Sequence, residues 1–545
     1  TAHSFLKKRF DFKDRQNKDA DSHVKANDCG KALAVLLKEN LSIVPEKFLN
    51  AAKESLPERK TNVLSPEERD QLFTRVNTNV AASLANPKSL EKCLYKMKKN
   101  RAPGVDGLSV EHLISIFFTG NGSKFVKDQV IQEYVILLQK FLTGNLSSYQ
   151  TEVFYSLKLA GIPKNSTECR VIMMVGLHSK VAFSLVSSSK LKKNVQSKVF
   201  SKNQAGGKSA GNECIIHTAQ TVLSQCPYSD FLSADAYKAY YTMNRDLALD
   251  TVKKEFPEVF NMFAQKYNNN ANAFISGLRE GIVNLQQSEG GSPGSPEMSF
   301  LYELSISPFI KNIEALCSST NASITDEGIV MSYIDDCYWA APFIKMIEII
   351  EFVQLNGPKY GYNLNMDKCT YLLAPAVTLD ENELNRRLDI IMQLGFPRSS
   401  IKIHPDTQQG ISRELYQRRS EQWGCKVLGA FIGSNEFIKN SLQVKMKGIK
   451  SVADRLLNYP NAQARYLIHK FCFNEKINYW LRAQFPDDSK QFLDDFKRTQ
   501  TSLIASYHGY YDQKKIDDQP KLFSDLYKRV SFSIEDGGMA LRSID

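Results

Sequence analysis

Ten residues in the middle of the chain constrain it most: Met331-Ser332-Tyr333-Ile334-Asp335-Asp336-Cys337-Tyr338-Trp339-Ala340. β-forming and apolar residues flank two adjacent acids, with Gly328-Ile329-Val330 leading in and Ala341-Pro342 leading out. The pattern predicts strand, two-residue turn and strand, with the carboxylates at the tip. Two negative charges that close together are costly unless a cation neutralises them. An exposed Asp-Asp turn is the plain alternative, but a surface turn rarely needs Tyr, Ile, Tyr and Trp around it. A second acid bears on the choice. Phe231-Leu232-Ser233-Ala234-Asp235-Ala236-Tyr237-Lys238-Ala239-Tyr240 reads as a short strand running into a turn, followed by a helix from Asn244 to Val252. Two-metal phosphoryl transfer needs a carboxylate from each of two neighbouring strands, bridging ions roughly 3.5–4 Å apart. Asp235 with Asp335 and Asp336 would supply that set, provided the fold brings the two stretches together.

At 545 residues the chain is too long for one compact core, and about three or four subdomains are expected. Its 42% apolar content with mixed charge is that of an ordinary globular protein. A net charge of +11 suits a polyanionic partner without demanding one. The ten cysteines are scattered singly with no C-x-x-C pair, so they read as reduced thiols in an intracellular protein and not as a disulfide frame or zinc site. There is no signal peptide and no apolar run long enough to span a membrane. The chain starts at Thr1 and stops in mid-pattern at Asp545, as expected for a piece of a longer polypeptide.

The acidic stretches resemble a known family. Tyr333-Ile334-Asp335-Asp336 is similar to the YxDD box of reverse transcriptases. Asp235 to Arg245, DAYKAYYTMNR, resembles the aspartate box of non-LTR (LINE-like) retrotransposon reverse transcriptases, with Asp235, Ala239 and Arg245 matching and Tyr240 exchanging one aromatic for another. Further strings follow in the family's order. Ala102-Pro103-Gly104-Val105-Asp106-Gly107 resembles an A-P-G-x-D-G box, though on its own it is a loop ending a helix. Leu157 to Ile172 resembles a hairpin carrying Lys164 and Arg170, with Val171 at a position usually Pro. Asn203-Gln204-Ala205-Gly206 matches N-Q-x-G. Gly290 to Pro296 resembles G-x-x-Q-G-D-P, with Pro293 for Gln, Ser295 for Asp and then Glu297 for Leu. Tyr360 to Lys368 resembles G-L-x-x-N-x-x-K, Lys426 to Gly433 a primer-grip hairpin, and Asp536 to Leu541 a late G-G-x-G-L string with Ala540 for Gly.

The resemblance implies an α+β fold: a right-handed fingers–palm–thumb polymerase with an antiparallel-sheet palm and a helical thumb. It divides the chain into a polar arm and helical extension (1–89), fingers (90–230), palm (231–435, with an insertion at about 374–422) and a truncated thumb (436–545). It implies RNA-directed DNA synthesis with an RNA template, a DNA or RNA primer and dNTPs as partners. Two Mg²⁺ ions, with Mn²⁺ an alternative, would sit at Asp235, Ala236, Asp335 and Asp336. Lys368 would be a general acid for the leaving pyrophosphate. Lys164, Arg170, Ala236, Tyr240 and Gly294 would meet the nucleotide, with Tyr240 excluding a 2′-hydroxyl. Arg101, Asn203, Gln204, Leu428 and Gly429 would meet template or primer. A retroelement enzyme would be nuclear.

Other readings of the same residues stay open. Lys164, Arg170 and Lys368 are also ordinary surface cations, and Tyr240 an ordinary core tyrosine. The five lysines of Lys190 to Lys202 form either a nucleic-acid track or a solvated helix face. Basic and aromatic residues alternate in Gln463 to Ile468 and Asn478 to Arg482, on what reads as one long helix, either along a duplex or in plain packing. For the whole chain, a domesticated binding scaffold, an RNA-synthesising palm polymerase and a non-polymerase phosphoryl-transfer enzyme are alternatives. Pro293, Ser295 and Val171 favour the scaffold, and the retained acids argue against it.

Overall fold

The computed structural model describes residues 16–25, 28–37, 45–59, 78–164, 168–278, 281–318, 328–507, 520–533, 535 and 541. The expected arm at Lys7-Lys8-Arg9, the apolar Leu72, Phe73 and Val76, and Asp536 to Ala540 lie outside these residues. The fold is a mixed α+β arrangement in two compact units. One comprises Leu41–Ile215 and Gln225–Ile401; the other comprises Thr1–Asn40, Ile216–Ser224 and Lys402–Asp545.

The first unit holds two sheets. Strands β1 (Leu157–Pro163) and β2 (Cys169–Val175) form an antiparallel hairpin in register from Leu157↔Val175 to Pro163↔Cys169. Successive side chains in a strand alternate faces. Here Leu157, Leu159, Val171, Met173 and Val175 turn inward beneath Phe48, Ala52 and Leu56, the first two from the Pro45–Glu54 helix. Val171, standing where a Pro is usual, is a buried ladder residue opposite Gly161. β3 (Asp230–Ala234) belongs to the other sheet. A hairpin of β4 (Ala271–Leu278) and β5 (Gly281–Gln287), for which the sequence had suggested nothing, extends the first sheet in the order β2-β1-β4-β5, with β4 parallel to β1.

The second sheet runs β6-β7-β3-β8-β9, built from β6 (Ile329–Tyr333), β7 (Asp336–Ala341), β8 (Thr370–Leu372) and the short β9 (Ile401–Lys402) around β3. β3 is antiparallel to β7 and to β8. Phe231, Leu232, Trp339, Ala340 and Tyr371 are all buried, so the central strands are apolar on both faces. The Met298–Cys317 helix covers β6 and the Phe343–Asn356 helix covers β7. The first of these is apolar nearly all round, as a helix enclosed by protein must be. The Lys124–Thr143 helix buries Ile131, Tyr134, Val135, Leu138, Phe141 and Leu142, the stripe its sequence pattern predicts.

Among its described residues the second unit is mainly helical, with a hairpin of β10 (Gly424–Val427) and β11 (Ala430–Gly433). Its longest helix, Asn435–Leu457, is capped by Ser434 and buries Ile438, Leu442, Met446, Ile449, Val452, Ala453 and Leu456 against Trp480, Phe492 and Phe496. The single long helix expected through residues 463–482 does not form. An α-helix over Ala462–Ile468 passes into a π-helical turn at His469–Phe473, a 3₁₀ turn at Asn474–Lys476 and a short helix at Asn478–Ala483. The buried His469 ring, bonded to the Tyr507 hydroxyl at 3.1 Å, sits at the start of the π turn. Arg465 is also interior: it donates to the Leu457 carbonyl at 3.0 Å and lies over the Tyr507 ring. Trp480 stacks on Phe431 with ring centroids 5.5 Å apart. The alternation of basic and aromatic residues is largely packing.

All ten cysteines are free. Among the described residues no helix is long and apolar enough to cross a membrane.

One buried charge pair ties the first unit together. Lys266, on the wholly buried helix Phe260–Tyr267, donates to Glu297 Oε1 at 2.5 Å and to Ser295 Oγ at 2.9 Å. Tyr267 donates to the same carboxylate oxygen at 2.9 Å, and Ser295 to the other at 2.6 Å. Burial pushes the Lys266 amine below its usual range, and Glu297 holds it charged against that cost. Removing one member leaves a buried charge alone. Lys266→Met is expected to cost about 3–5 kcal/mol in denaturant unfolding, and the Lys266→Met/Glu297→Leu double variant to recover most of it. Equal losses in the single and double variants would show that the pair is not the source of the cost.

Candidate carboxylate site

Asp235 follows the last residue of β3, which pairs as Ala234↔Cys337 with β7. Continuing that register sets Asp235 across from Asp336. The hairpin differs from expectation by one residue. Tyr333 pairs with Asp336, so the turn residues are Ile334 and Asp335, and Asp336 opens β7. The two acids therefore do not share the tip, and because consecutive residues diverge to different sides they have separate surroundings. Ile334 has φ +61°, a left-handed conformation that a β-branched residue rarely adopts.

Burial pushes the Asp335 carboxyl above its ordinary range; its own backbone N–H opposes the rise and the charge of Asp235 adds to it. The carboxylates from the two strands are thus near enough to repel. Lys368 Nζ stands 3.9 Å from Asp235 Oδ2, with both side chains partly open to water, so this pair relieves little of the charge. Lys368 is placed by the backbone: Tyr237 N–H donates to the Asn363 carbonyl at 2.7 Å, Asn365 N–H to the Asp235 carbonyl at 2.8 Å, and Lys368 N–H to the Asn365 carbonyl at 2.9 Å. This bridge, Ala236↔Leu364, leaves the Ala236 carbonyl outside the pairing.

The Tyr240 ring lies edge-on to Tyr302 at 5.5 Å, and its hydroxyl bonds to Ser299 Oγ at 3.1 Å. Burial pushes Tyr240 up to about 12, and the charges of Asp335, Glu303 and Asp336 add to that.

The glycine-rich loop is fixed by Arg245. This buried guanidinium donates to the carbonyls of Gly290 at 2.7 Å, Asn269 at 3.0 Å and Gln287 at 3.3 Å. Gly290 adopts φ +64°, and a Cβ there would lie 2.1 Å from the Tyr241 carbonyl. Gly291 N–H donates to the Tyr240 carbonyl at 2.7 Å, so the loop is fastened directly to the segment after Asp235. Gly294 lies against β2, where a Cβ would be 2.5 Å from the Met173 carbonyl.

The other expected residues have varied settings. Lys164 and Arg170 are exposed near the end of the β1–β2 hairpin, Lys164 paired with Glu168 at 2.8 Å. Arg101 is exposed on a loop whose Asp106 accepts from Leu177 N–H at the start of the Leu177–Ser187 helix. Asn203 and Gln204 form a short bridge to β6, with Ser332 N–H donating to the Asn203 carbonyl at 3.0 Å and Ala205 N–H to the Ser332 carbonyl at 2.8 Å. The Gln204 amide is fully buried, accepting from Ser201 N–H at 3.1 Å and donating to the Glu303 carbonyl at 3.1 Å. Of the lysines in 190–202, Lys192 lies over Phe300 and Lys198 pairs with Glu255. Leu428 and Gly429 form the left-handed turn of the β10–β11 hairpin in the other unit, with Tyr479 donating to the Leu428 carbonyl.

Glu303 and Ser299 were not expected. Both lie on the helix after the glycine loop. An acid enclosed by Phe300, Leu301, Tyr302 and Leu304 was the available signal for Glu303.

The chain matches no protein-family model and no curated protein. Among solved structures it is similar to apo telomerase from Candida tropicalis truncated from its C-terminal domain, at 14% identity and a TM-score of 0.31. That match covers 48% of this chain and 60% of the telomerase chain.

Among the described residues no three His, Cys, Asp or Glu side chains converge as a preformed metal cage. The fit to a divalent cation rests on Asp235, Asp335 and the Ala236 carbonyl: hard oxygen donors, two of them anionic and mutually repelling.

A carboxyl raised in the folded state stabilises the fold fully below the ordinary carboxylate range, and that contribution is lost as pH rises through the raised value. Ionisation of Asp335 therefore weakens the fold as pH rises. Asp335→Asn is expected to raise neutral-pH stability by about 1 kcal/mol, with the gain vanishing in acid, in thermal melts across pH. A loss at neutral pH would mean that Asp335 and Asp235 do not repel.

Proposed function

We propose that the chain is a template-directed nucleotidyltransferase of the reverse-transcriptase type, extending a primer 3′-hydroxyl with dNTPs on an RNA template. The observation that carries the reading is the register that sets Asp235, just past the end of β3, across from Asp336 and beside the turn holding Asp335, with Lys368 3.9 Å from Asp235. Mutually repelling acids at adjoining strand ends weaken a fold and suit divalent-metal chemistry. Asp235, Asp335 and the Ala236 carbonyl would hold Mg²⁺ or Mn²⁺, with Asp336 in support; the ions would supply charge neutralisation at the α-phosphate and activation of the attacking hydroxyl. Lys368, 3.9 Å from Asp235, would deliver a proton to a leaving pyrophosphate. The Tyr240 ring, whose hydroxyl bonds to Ser299, would close off a 2′-hydroxyl. In this reading the first unit is fingers and palm, Lys164 and Arg170 reach the triphosphate, the exposed lysines of 190–202 follow nucleic acid, and the helices from residue 436 on form the thumb. A retroelement origin would place the enzyme in the nucleus.

Pro293 favours a second reading, a binding scaffold that retains the fold without efficient synthesis, because its ring cannot offer the amide contact of a Gln. Primer extension on an RNA template with dNTPs and Mg²⁺ or Mn²⁺ separates the two. Extension is expected, falling by about 10³-fold or more in the Asp335→Ala/Asp336→Ala variant. RNA binding without extension in the wild type would establish the scaffold.

A further inference from the structure

Glu303 lies behind the acidic hairpin and is almost wholly buried, at 1% exposure. Its Oε1 accepts the Ile334 N–H at 3.3 Å, in the Tyr333–Ile334 peptide at the entry to the turn that carries Asp335. The carboxylate fits only because residue 206 is glycine: a Cβ there would stand 1.5 Å from Glu303 Oε1 and 2.6 Å from Oε2. On its backbone side, Glu303 accepts the buried Gln204 amide at 3.1 Å. The Asn203 to Gly206 segment, which pairs with β6 through Ser332, thus both encloses the Glu303 side chain and fixes its backbone.

We propose that Glu303 is a positioning residue, whose carboxyl oxygen holds the Ile334 peptide in its left-handed conformation and thereby sets where Asp335 points. A β-branched residue keeps such a conformation only where its surroundings over-determine it. The flanking strands fix Tyr333 and Asp336, and the Ile334 N–H between them is met by the Glu303 carboxylate. Burial pushes the Glu303 carboxyl up to about 7, while the Ile334 N–H and the charges of Lys192 and Lys208 draw it down. The contact does not need the charge, because one oxygen can accept in either protonation state, and an amide oxygen can replace it. Any consequence for synthesis rests on the function proposed above; the contact itself does not.

The test is amide exchange at Ile334, resolved by fragmentation, in the full chain and its Glu303→Leu, Glu303→Asp, Glu303→Gln and Gly206→Ala variants. Exchange at β3, Phe231 to Ala234, serves as the control for the general fold. Glu303→Leu removes the acceptor, Glu303→Asp withdraws it, and Gly206→Ala displaces it without altering Glu303. Each is expected to speed exchange at Ile334 by about tenfold to a hundredfold with β3 unchanged, while Glu303→Gln stays near wild type. Wild-type exchange in the folded Glu303→Asp and Gly206→Ala variants would overturn the proposal. So would acceleration in Glu303→Gln equal to that in Glu303→Asp. A second readout is the Mn²⁺ concentration for half-maximal extension: a rise in Glu303→Asp, reversed in Glu303→Gln, supports positioning, whereas a loss of active fraction with the same half-maximum points to stability alone. If the wild type does not extend primers, the polymerase reading fails and the exchange result still decides the role of Glu303.

Discussion

Two carboxylates that repel each other across neighbouring strands set the terms for the first unit. At Asp335, burial and the charge of Asp235 both oppose ionisation, and Lys368, partly open to water, offsets little of that charge. The approach is imposed by the backbone. β3 is held on both sides by antiparallel partners, so Asp235 leaves the sheet at a fixed place. The hairpin next to it holds Asp335 through a turn that its own sequence disfavours, with Ile334 in a left-handed conformation. Strain and repulsion in one small region are stabilised by the apolar β3 and β7 and by the enclosed Met298–Cys317 helix. A purely structural hairpin would have little cause to carry such a combination.

The support behind that region is polar and buried, an arrangement that works only when every group is matched. Arg245 donates to several loop carbonyls, so one cation replaces water for a run of irregular backbone. Lys266 and Glu297 match each other's charge where the loop becomes a helix, through side chains alone. The glycines complete the arrangement by letting backbone approach backbone: Gly290 against Tyr241, Gly294 against Met173 and Gly206 against the Glu303 carboxylate. Each of these contacts joins segments far apart in sequence, so the loop, the aspartate segment and the hairpin form one connected body.

Much of this was legible because the decisive strands are short, apolar and bounded by clear turn signals. β3, the hairpin at Asp335 and the helices read over 244–252 and 129–142, which form as Arg245–Glu255 and Lys124–Thr143, follow from period and punctuation. The hairpin register was misjudged by one residue, since sequence favours an Asp over an Ile in a left-handed turn position and the tertiary contact to Glu303 overrides that preference. The β4–β5 hairpin was missed because its strands, ANAFISGL and GIVNLQQ, alternate weakly and contain Gly and Asn. The long helix through 463–482 failed for a different reason. Helical periodicity survives a π turn with only a small phase shift, so buried His469 and Arg465 could not be told from outward-facing ones by spacing.

The departures from the resembled strings gain a physical meaning from the structure. Val171, Ser295 and Glu297 differ from the usual residues, and each is engaged inside the first unit. Val171 fills the core of the β1–β2 sheet and its carbonyl accepts from Tyr241 at 2.8 Å. Ser295 and Glu297 meet in the same buried network with Lys266. An acid replacing an apolar residue at a helix entrance would normally be expelled toward water. Here it is retained because a lysine two elements away supplies the counter-charge. The backbone around Gly290 and Gly294 is held by this chain's own buried side chains. The departures at 171, 295 and 297 say more about how this chain packs than about whether the site can act. Pro293, half-buried in the same loop, has no comparable hydrogen-bonded role in this network.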